Sequence, residues 1–175
     1  MNSGIEDALH ARGPSAELVN ENRLYDWLIG SWDAHVLDYA DDGTEQESNG
    51  EWHFGYVLEG RAIQDVWISP PRSQRDSTIP KTNNRYGTTI RFFHPDKRQW
   101  HITWINPVSG AINLLIARRQ ESDIVQEGQG AGDSLIRWVF TDIENNSARW
   151  YGEHSMDGGR TWKLESEFFL KRRSW

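Results

Sequence analysis

Short segments of alternating apolar and polar residues, separated by turn-forming residues, dominate the chain from residue 32 onward. Such alternation is typical of strands whose two faces meet different surroundings. The links between them, such as Asp42-Gly43 and Gly158-Gly159, tolerate positive φ and are too short for the helical crossover of a parallel sheet. The sequence therefore predicts an all-β protein with antiparallel neighbours. The predicted strands are Trp32–Tyr39, Glu47–Val57, Arg61–Ser69, Arg85–His94, Gln99–Asn106, Ala111–Arg119, Asp123–Gln129, Ser134–Asp142, Ala148–Met156 and Thr161–Lys171.

The edges of such a sheet decide its architecture. An open sheet would expose two unpaired edges, whereas closure into a barrel removes both. We therefore predict a closed antiparallel up-and-down β-barrel of about ten strands, with a two-sheet sandwich as the alternative. A barrel of about eight to ten strands has room for a small ligand inside.

The regions outside the strands are few. Near-helical spacing of apolar residues predicts a short N-terminal helix from Ser15 to Leu28, ended by Gly30. Residues 1–14 are predicted as a flexible arm and residues 15–175 as a single barrel domain. The long polar link Pro70–Asn84 is predicted to cover or flank the barrel mouth.

Composition excludes several classes of function. The absence of cysteine rules out a disulfide framework, thiolate metal sites and a cysteine nucleophile. A net charge of −7 argues against a nucleic-acid partner. No apolar run approaches the roughly 20 residues of a membrane span, and the start lacks signal-peptide features, so we expect a cytoplasmic protein without a membrane partner. The histidines show no metal-ligand spacing, and no metal site is predicted.

Ten tryptophans among 175 residues need an explanation. Cores usually prefer Leu, Ile and Val, because a buried indole N–H needs a partner, whereas rigid aromatic rings suit the wall of a cavity. Plain core and pocket wall both stay open as interpretations. In the last strand, the alternation predicts an inward face made of Trp162, Leu164, Phe168 and Leu170.

Charged residues within apolar strands are candidates for an interior site, because a buried charge must be paired. Asp65 and Glu153 are the candidate catalytic acids or bases, and Arg91 and Arg137 are the candidate electrostatic partners. The predicted ligand-binding residues are Trp52, Asp65, Trp67, Arg91, Trp104, Arg137, Trp138, Trp150, Glu153 and His154.

The stretch from Trp27 to Trp32, Trp-Leu-Ile-Gly-Ser-Trp, resembles the opening signature of lipocalins and the wider calycin group. The resemblance implies that Trp32 plugs one barrel end and that an arginine near the C-terminus, Arg172 or Arg173, packs over it. The chain is also similar to an uncharacterised bacterial family of calycin-like barrels, through Trp-Leu-x-Gly-x-Trp and the stretches Leu58–Trp67 and Gly152–Trp162, over residues 27 to about 173.

The pattern Ser155-x-Asp157-x-Gly159-x-Thr161-Trp162 resembles the Asp-box, in which a carboxylate accepts backbone N–H groups across a hairpin turn. We interpret it as a folding device.

The resemblance implies a fold more directly than an activity, since calycin-like barrels include ligand carriers, haem-binding nitrobindins and cofactor-free cyclases and isomerases. Our first hypothesis is a protein that binds a small apolar or aromatic, and in some cases anionic, molecule in the barrel without a cofactor. The alternatives are a cofactor-independent isomerase, cyclase or lyase, and a nitrobindin-like haem protein using His154. The sequence leaves open whether turnover occurs and whether two barrels form a homodimer.

Overall fold

A computed structural model describes residues 4–18, 22–75 and 85–174. Helix α1 (Gly4–Leu9) leads into the two-residue strand β1 (His10–Ala11), and short 3-10 turns lie at Asp26–Leu28 and Arg72–Gln74. The remaining strands are β2 (Gly30–Tyr39), β3 (Glu45–Val57), β4 (Ala62–Ser69), β5 (Arg85–His94), β6 (Gln99–Asn106), β7 (Ala111–Gln120), β8 (Asp123–Gln129), β9 (Leu135–Thr141), β10 (Ser147–Ser155) and β11 (Lys163–Arg172).

The strands β2 to β11 form a closed antiparallel barrel. Each pairs with the next along the chain, and β11 pairs with β2, for example Lys171 with Asp33, so that the ring has no open edge. Strand β1 continues beside β3 at Tyr56 and Val57, beyond the point where β2 begins. The predicted barrel is confirmed. The strands β5, β6 and β8 have the predicted bounds, because turn residues flank each of them closely.

The predicted helix over Ser15–Leu28 is wrong. In the described part of that segment, residues 15–18 and 22–28, the chain is irregular and ends in the 3-10 turn, while the α-helix lies earlier at Gly4–Leu9. Leu24, Tyr25 and Leu28 are all buried in the barrel core. Their helix-like spacing therefore reflects an irregular segment that packs across the barrel end. Of the predicted arm, residues 4–14 contain α1 and β1.

The end of the barrel near Trp32 is closed by that segment. Trp32 is fully buried, and its indole N–H donates to the Leu28 carbonyl over 2.7 Å. The Arg172 guanidinium lies 4.1 Å from the centre of a Trp32 ring and donates to the carbonyls of Ile29 and Trp27. The resemblance left Arg172 and Arg173 as alternatives, and the structure places Arg172 over the tryptophan.

The predicted alternation of inward and outward side chains holds along most of the barrel but fails in β11. Phe168 and Leu170 are buried in the core as predicted. A register shift between Gly152 and Glu153 leaves one extra residue in β11, so that Leu164 pairs with Glu153 on the outer face. The predicted inward positions of Leu164 and Trp162 are therefore wrong, because an extra residue reverses the alternation.

The hairpin between β10 and β11 forms the predicted Asp-box. Asp157 Oδ1 accepts the backbone N–H groups of Arg160 and Thr161, each over 2.9 Å. These hydrogen bonds lower the pKa of Asp157 to about 2. Gly158 and Gly159 take positive φ values of 73° and 86°, which fit glycine without strain. The motif thus has a structural role, since it holds the turn of this hairpin.

Candidate functional site

A cavity of about 200 Å³ lies in the half of the barrel opposite Trp32. Its walls come from seven strands of the ring, which places it on the barrel axis. The lining residues are Trp52, Trp67, Arg85, Thr89, Arg91, Trp104, Asn106, Trp138, Trp150, Ser166 and Phe168.

Aromatic rings form most of the wall. Phe168 stacks on Trp67 with 4.5 Å between ring centroids and lies 4.4 Å from Trp150. Trp104 and Trp138 meet edge to face at 6.5 Å on another part of the wall. Contacts between rings hold each ring in place, because edge-to-face and offset pairs are favourable.

Glycines on neighbouring strands make room for two of these rings. A Cβ atom at Gly50 would lie 2.2 Å from the Trp67 ring, and one at Gly87 would lie 2.3 Å from the Trp104 ring. Both separations are far inside van der Waals contact. The two tryptophan rings therefore occupy space that a side chain at Gly50 or Gly87 would need.

A buried ion pair lies at the inner end of the cavity. The side chains of Arg91 and Asp65 are 2% and 0% exposed and contact each other directly. Asp65 also accepts the backbone N–H of Thr89 over 3.1 Å. The guanidinium carbon of Arg91 lies 5.3 Å from the Tyr25 ring centre and 5.6 Å from that of Phe54. Each charge is thus paired, as burial requires.

Two N–H groups of the lining are buried without a hydrogen-bond partner. They are Arg91 Nε and Trp52 Nε1. A buried donor left unpaired costs about 1–3 kcal/mol, so natural interiors keep few of them. Both nitrogen atoms have almost no accessible surface, so neighbouring protein atoms enclose them and they are not open to the cavity.

The cavity opens between charged and polar groups. Arg85 of β5 pairs with Asp38 of β2, and the Ser166 hydroxyl also donates to Asp38. Ser166 is the neighbour of Asp38 in the β11–β2 pairing, whereas β5 is three strands away from β2, so only the Arg85–Asp38 pair reaches across the barrel end. Of the predicted mouth loop Pro70–Asn84, residues 76–84 lie outside the described residues. In the described part, Arg75 donates to the Arg85 carbonyl over 2.7 Å.

The structure brings together most of the residues predicted from the sequence. Asp65 lies at the inner end through its bond to Arg91. The predicted residues that line the cavity are Trp52, Trp67, Arg91, Trp104, Trp138 and Trp150.

Arg137 and Glu153 do not line the cavity, in contrast to the expectation. They pair with each other over 2.6 Å on the outer face, and the Arg137 guanidinium lies 4.0 Å from the centre of the Trp162 ring. In β9 the inward side chains are Ile136, Trp138 and Phe140, so parity directs Arg137 outward. The predicted acid or base Glu153 is therefore separated from Asp65 by the barrel wall.

The haem hypothesis does not fit the residues present. His154 is not part of the lining, and its Nδ1 atom lies 3.1 Å from the Glu165 carboxylate. A cavity of about 200 Å³ is also smaller than the roughly 300–1,000 Å³ of typical cofactor pockets.

A second polar cluster on the outer wall was not predicted. Glu51 accepts from Arg72 and Arg173, and His53 lies between Glu51 at 3.1 Å and the Ser31 hydroxyl at 2.8 Å. The order serine–histidine–carboxylate resembles a catalytic triad. However, His53 Nε2 also faces an Arg72 N–H group at 3.2 Å, and the Glu51 carboxylate is already held by two arginines. We interpret the cluster as an ion-pair network that fixes the Arg72–Gln74 turn and the end of β11 to the barrel.

Several cavity residues were missed from the sequence: Arg85, Thr89, Asn106, Ser166 and Phe168. The alternation predicts Phe168 on the inward face, but Phe168 is not among the predicted ligand-binding residues. A usable signal was the presence of glycines inside strands, at Gly50 and Gly87, since interior glycine often marks the close approach of a bulky group.

Comparison with known proteins supports the fold. No family model matches the chain, and no curated protein matches it. Several solved structures do match the chain. The S-type phycobiliprotein lyase CPES from Guillardia theta superposes with a TM-score of 0.60 at 10% identity, covering 90% of this chain and 94% of that one. Rv2717c from M. tuberculosis superposes with a TM-score of 0.62 at 11% identity, covering 90% and 99%.

The chain has a calycin-like barrel fold. At 10–11% identity the likeness concerns the fold alone, and lyase activity is a property of the Guillardia theta protein. In residues 4–18, 22–75 and 85–174, no helix has the length and apolar character needed to cross a membrane.

Proposed function

We propose that this protein binds a small apolar or aromatic molecule inside the barrel. The observation that carries the proposal is the aromatic-walled cavity of about 200 Å³, which opens at one barrel end and contains a buried ion pair. Ligand pockets are typically apolar concavities with a few convergent polar groups.

The packing of the wall supports a pocket over a plain core. The closed half of the barrel is filled by ordinary core contacts around Tyr25, Leu28 and Phe140. In the other half, Trp67 and Trp104 contact the backbone of Gly50 and Gly87, and a cavity remains among the aromatic rings. Protein interiors are normally close-packed, so a space of this size at an accessible end is suited to a guest molecule.

An enzymatic use of the cavity has less support. Glu153 lies outside the cavity, and Asp65 is bound to Arg91 and to the Thr89 backbone. An acid–base catalyst must exchange a proton with the substrate, and the Asp65 carboxylate is already engaged by the Arg91 guanidinium and the Thr89 N–H. We therefore propose binding without turnover, which mass spectrometry of a recovered ligand checks directly.

Other sequence-based expectations stay predictions. They are membership of the uncharacterised bacterial family of calycin-like barrels, a cytoplasmic location and the absence of a nucleic-acid partner. Whether two barrels form a homodimer stays open.

The first prediction uses two equivalent substitutions. Thr89→Leu adds carbon atoms inside the cavity, whereas Thr103→Leu makes the same change on the outward face of β6. We expect Thr89→Leu to weaken binding of toluene and indole at least about tenfold, because the extra volume overlaps the ligand. Thr103→Leu should bind as the wild type does. Isothermal titration calorimetry, with tryptophan fluorescence as a second readout, measures both.

The same experiment shows how the proposal would fail. Equal affinities for both variants and the wild type would place the ligand outside the cavity. No binding to the wild type across the panel would remove the proposed function itself.

A further inference from the structure

The outward face of β5, β6 and β7 carries a run of hydrophobic side chains. Strand pairing aligns nine outward positions of these strands in three rows, and none of the nine is Asp, Glu, Lys or Arg. Six of the nine positions are hydrophobic and form the β5–β7 patch: Ile90, Phe92, Ile105, Ile112, Leu114 and Ile116. On the opposite side of the ring, the outward positions of β10 and β11 instead include Arg149, Glu167 and Lys171.

The other three positions in these rows are Thr88, His101 and Thr103. His101 stacks on Phe92 with 5.4 Å between the ring centroids. Burial and the neighbouring Lys97 and His94 lower the pKa of His101 below its ordinary value of 6.5. The three rows are therefore uncharged near pH 7.

The patch exposes a large apolar area. Phe92, Ile105, Ile112, Leu114 and Ile116 are between 36% and 68% exposed. With about 200 Å² for a fully exposed side chain of this size, these fractions amount to about 500 Å². Soluble monomers rarely expose contiguous apolar patches larger than a few hundred Å². A patch of this area points to a partner that covers it.

The hydrogen bonding of the three strands restricts how a partner can bind. Each strand is paired on both sides, β5 with β4 and β6, and β7 with β6 and β8. A peptide therefore cannot add to this face as a further strand, because strand addition needs a free sheet edge. The contact must be made by side chains, as when two sheets pack face to face at about 10 Å.

A second copy of this chain supplies a matching face. In a dimer with two-fold symmetry the same surface lies on both sides of the contact, so that uncharged rows meet uncharged rows. Each chain has a net charge of −7, and contact through a charged face would bring like charges together. Two faces of about 500 Å² bury about 1,000 Å² in total, which reaches the lower bound for a specific interface.

We propose that this protein forms a two-fold symmetric homodimer through the outward face of β5, β6 and β7, with the row of Ile90, Thr103 and Leu114 at its centre. At the edge of this face, Glu127 pairs with Ile116 across the sheet and accepts from Arg118 over 2.7 Å. An uncharged centre with a charged rim is typical of protein interfaces. The dimer is independent of the proposed ligand binding, because the patch faces away from the cavity.

Sedimentation velocity tests the dimer with one pair of matched variants. We expect the wild type to pass from monomer to dimer between about 1 and 300 µM, as fits a small interface. Leu114→Glu should raise the dissociation constant of the dimer at least about a hundredfold, because it places like charges in a desolvated contact. Met156→Glu replaces a 74% exposed side chain outside the patch and gives the same net charge, so it should dissociate as the wild type does.

A further variant keeps the test independent of one substitution. Ile112→Glu introduces the same charge at another patch residue, which is 68% exposed, and should also give a monomer. Circular dichroism and urea unfolding check that each variant is folded.

Three results would overturn the proposed dimer. A wild type that stays monomeric throughout the range removes it, and cosedimentation of that monomer with vesicles of phosphatidylcholine and phosphatidylglycerol would assign the patch to a lipid surface instead. A dimer that persists in both Leu114→Glu and Ile112→Glu would place the contact elsewhere. An equal loss of the dimer in Met156→Glu would show that net charge, rather than the patch, controls association.

Discussion

At the residue scale, two acidic side chains of the barrel show how position decides the use of a charge. Asp65 is sealed inside with a single arginine, and removing either member would leave an uncompensated buried charge at a cost of about 3–5 kcal/mol. Glu51 lies on the outer wall, is 3% exposed, and accepts from Arg72 and Arg173. The interior pair balances its two charges within the barrel, whereas the outer network joins segments distant in sequence.

Glu51 gives a prediction about pH. Burial acts to raise its pKa, but hydrogen bonds from Arg72, His53 and Arg173 outweigh burial and hold the pKa well below its ordinary value of 4.5. A lowered pKa contributes stability that is present above the unfolded-state pKa and is lost as the pH falls through the folded-state pKa. Glu51→Gln should therefore lower the free energy of unfolding by about 1–3 kcal/mol near pH 7. The difference from the wild type should shrink steadily below about pH 4.5.

Urea unfolding followed by circular dichroism at several pH values measures this difference. Glu47→Gln is the control on the same strand, since that side chain is 71% exposed. A pH-independent difference for Glu51→Gln would contradict the assigned cause.

At the element scale, pairing between neighbouring strands decides which side chains enter the cavity. The extra residue in β11 turns Leu164 outward while Ser166 and Phe168 stay on the cavity side. Gly50 of β3 lies against Trp67 of β4, so the two strands together determine how far the indole reaches toward the axis. The cavity is thus a property of strand pairs rather than of any single strand.

The glycine–tryptophan contact gives a prediction on one strand. Gly50→Ala puts a methyl group 2.2 Å from the present Trp67 ring position and must displace the ring. We expect a loss of about 1–3 kcal/mol in unfolding free energy, typical of overpacking, together with altered affinity for cavity ligands. Gly55→Ala is the matched control, because nothing lies within 4 Å of its added Cβ and it should change neither quantity. Chemical denaturation and calorimetry measure the two effects, and equal behaviour of both variants would disprove the contact.

The sequence predicted the strands well because the information for them is local. Alternation and turn residues fall within each hairpin, so Arg85–His94 and Gln99–Asn106 were placed with the observed bounds. The bulge in β11 has no such local marker, which is why Leu164 and Trp162 were assigned to the wrong face. The apolar spacing of the Ser15–Leu28 segment matches helical periodicity and therefore predicts a helix. In the structure, burial of Tyr25 and Leu28 in the barrel core accounts for that spacing.

The candidate site was predictable only in part. Tryptophans and charges within apolar strands identified Asp65 and Arg91, but their pairing depends on the β4–β5 register. Arg137 and Glu153 also lie in apolar strands. Only the alternation of inward and outward side chains in β9 and β10 shows that this pair, unlike the Arg91–Asp65 pair, faces outward.

At the scale of the whole molecule, the barrel has one sealed end and one open end. Arg172 anchors the sealed end through the Trp32 ring and the carbonyls of Trp27, Ile29 and Asn145. The anchor joins the last barrel strand to the segment that crosses the barrel end. The cavity lies toward the opposite end, where Arg85 and Asp38 form an ion pair.

Loss of this anchor should weaken the entire barrel. We expect Arg172→Met to lower the free energy of unfolding by about 2–3 kcal/mol, because the carbonyls lose charged donors while the apolar stem is retained. Lys171→Met, next along the strand and exposed, should change stability little. Urea unfolding measures both variants, and a similarly small effect for both would show that Trp32 is held without the arginine.

The pairing of β2 with β11 has a consequence for the order of events during synthesis. Every other pair of adjacent barrel strands is consecutive in sequence and can form as a hairpin while the chain emerges from the ribosome. The pairing of β2 with β11 cannot be complete until residue 172 has been synthesised, because Arg172 itself pairs with Trp32. The cavity wall includes residues of β11, so the cavity is complete only after this last strand has been synthesised and has paired.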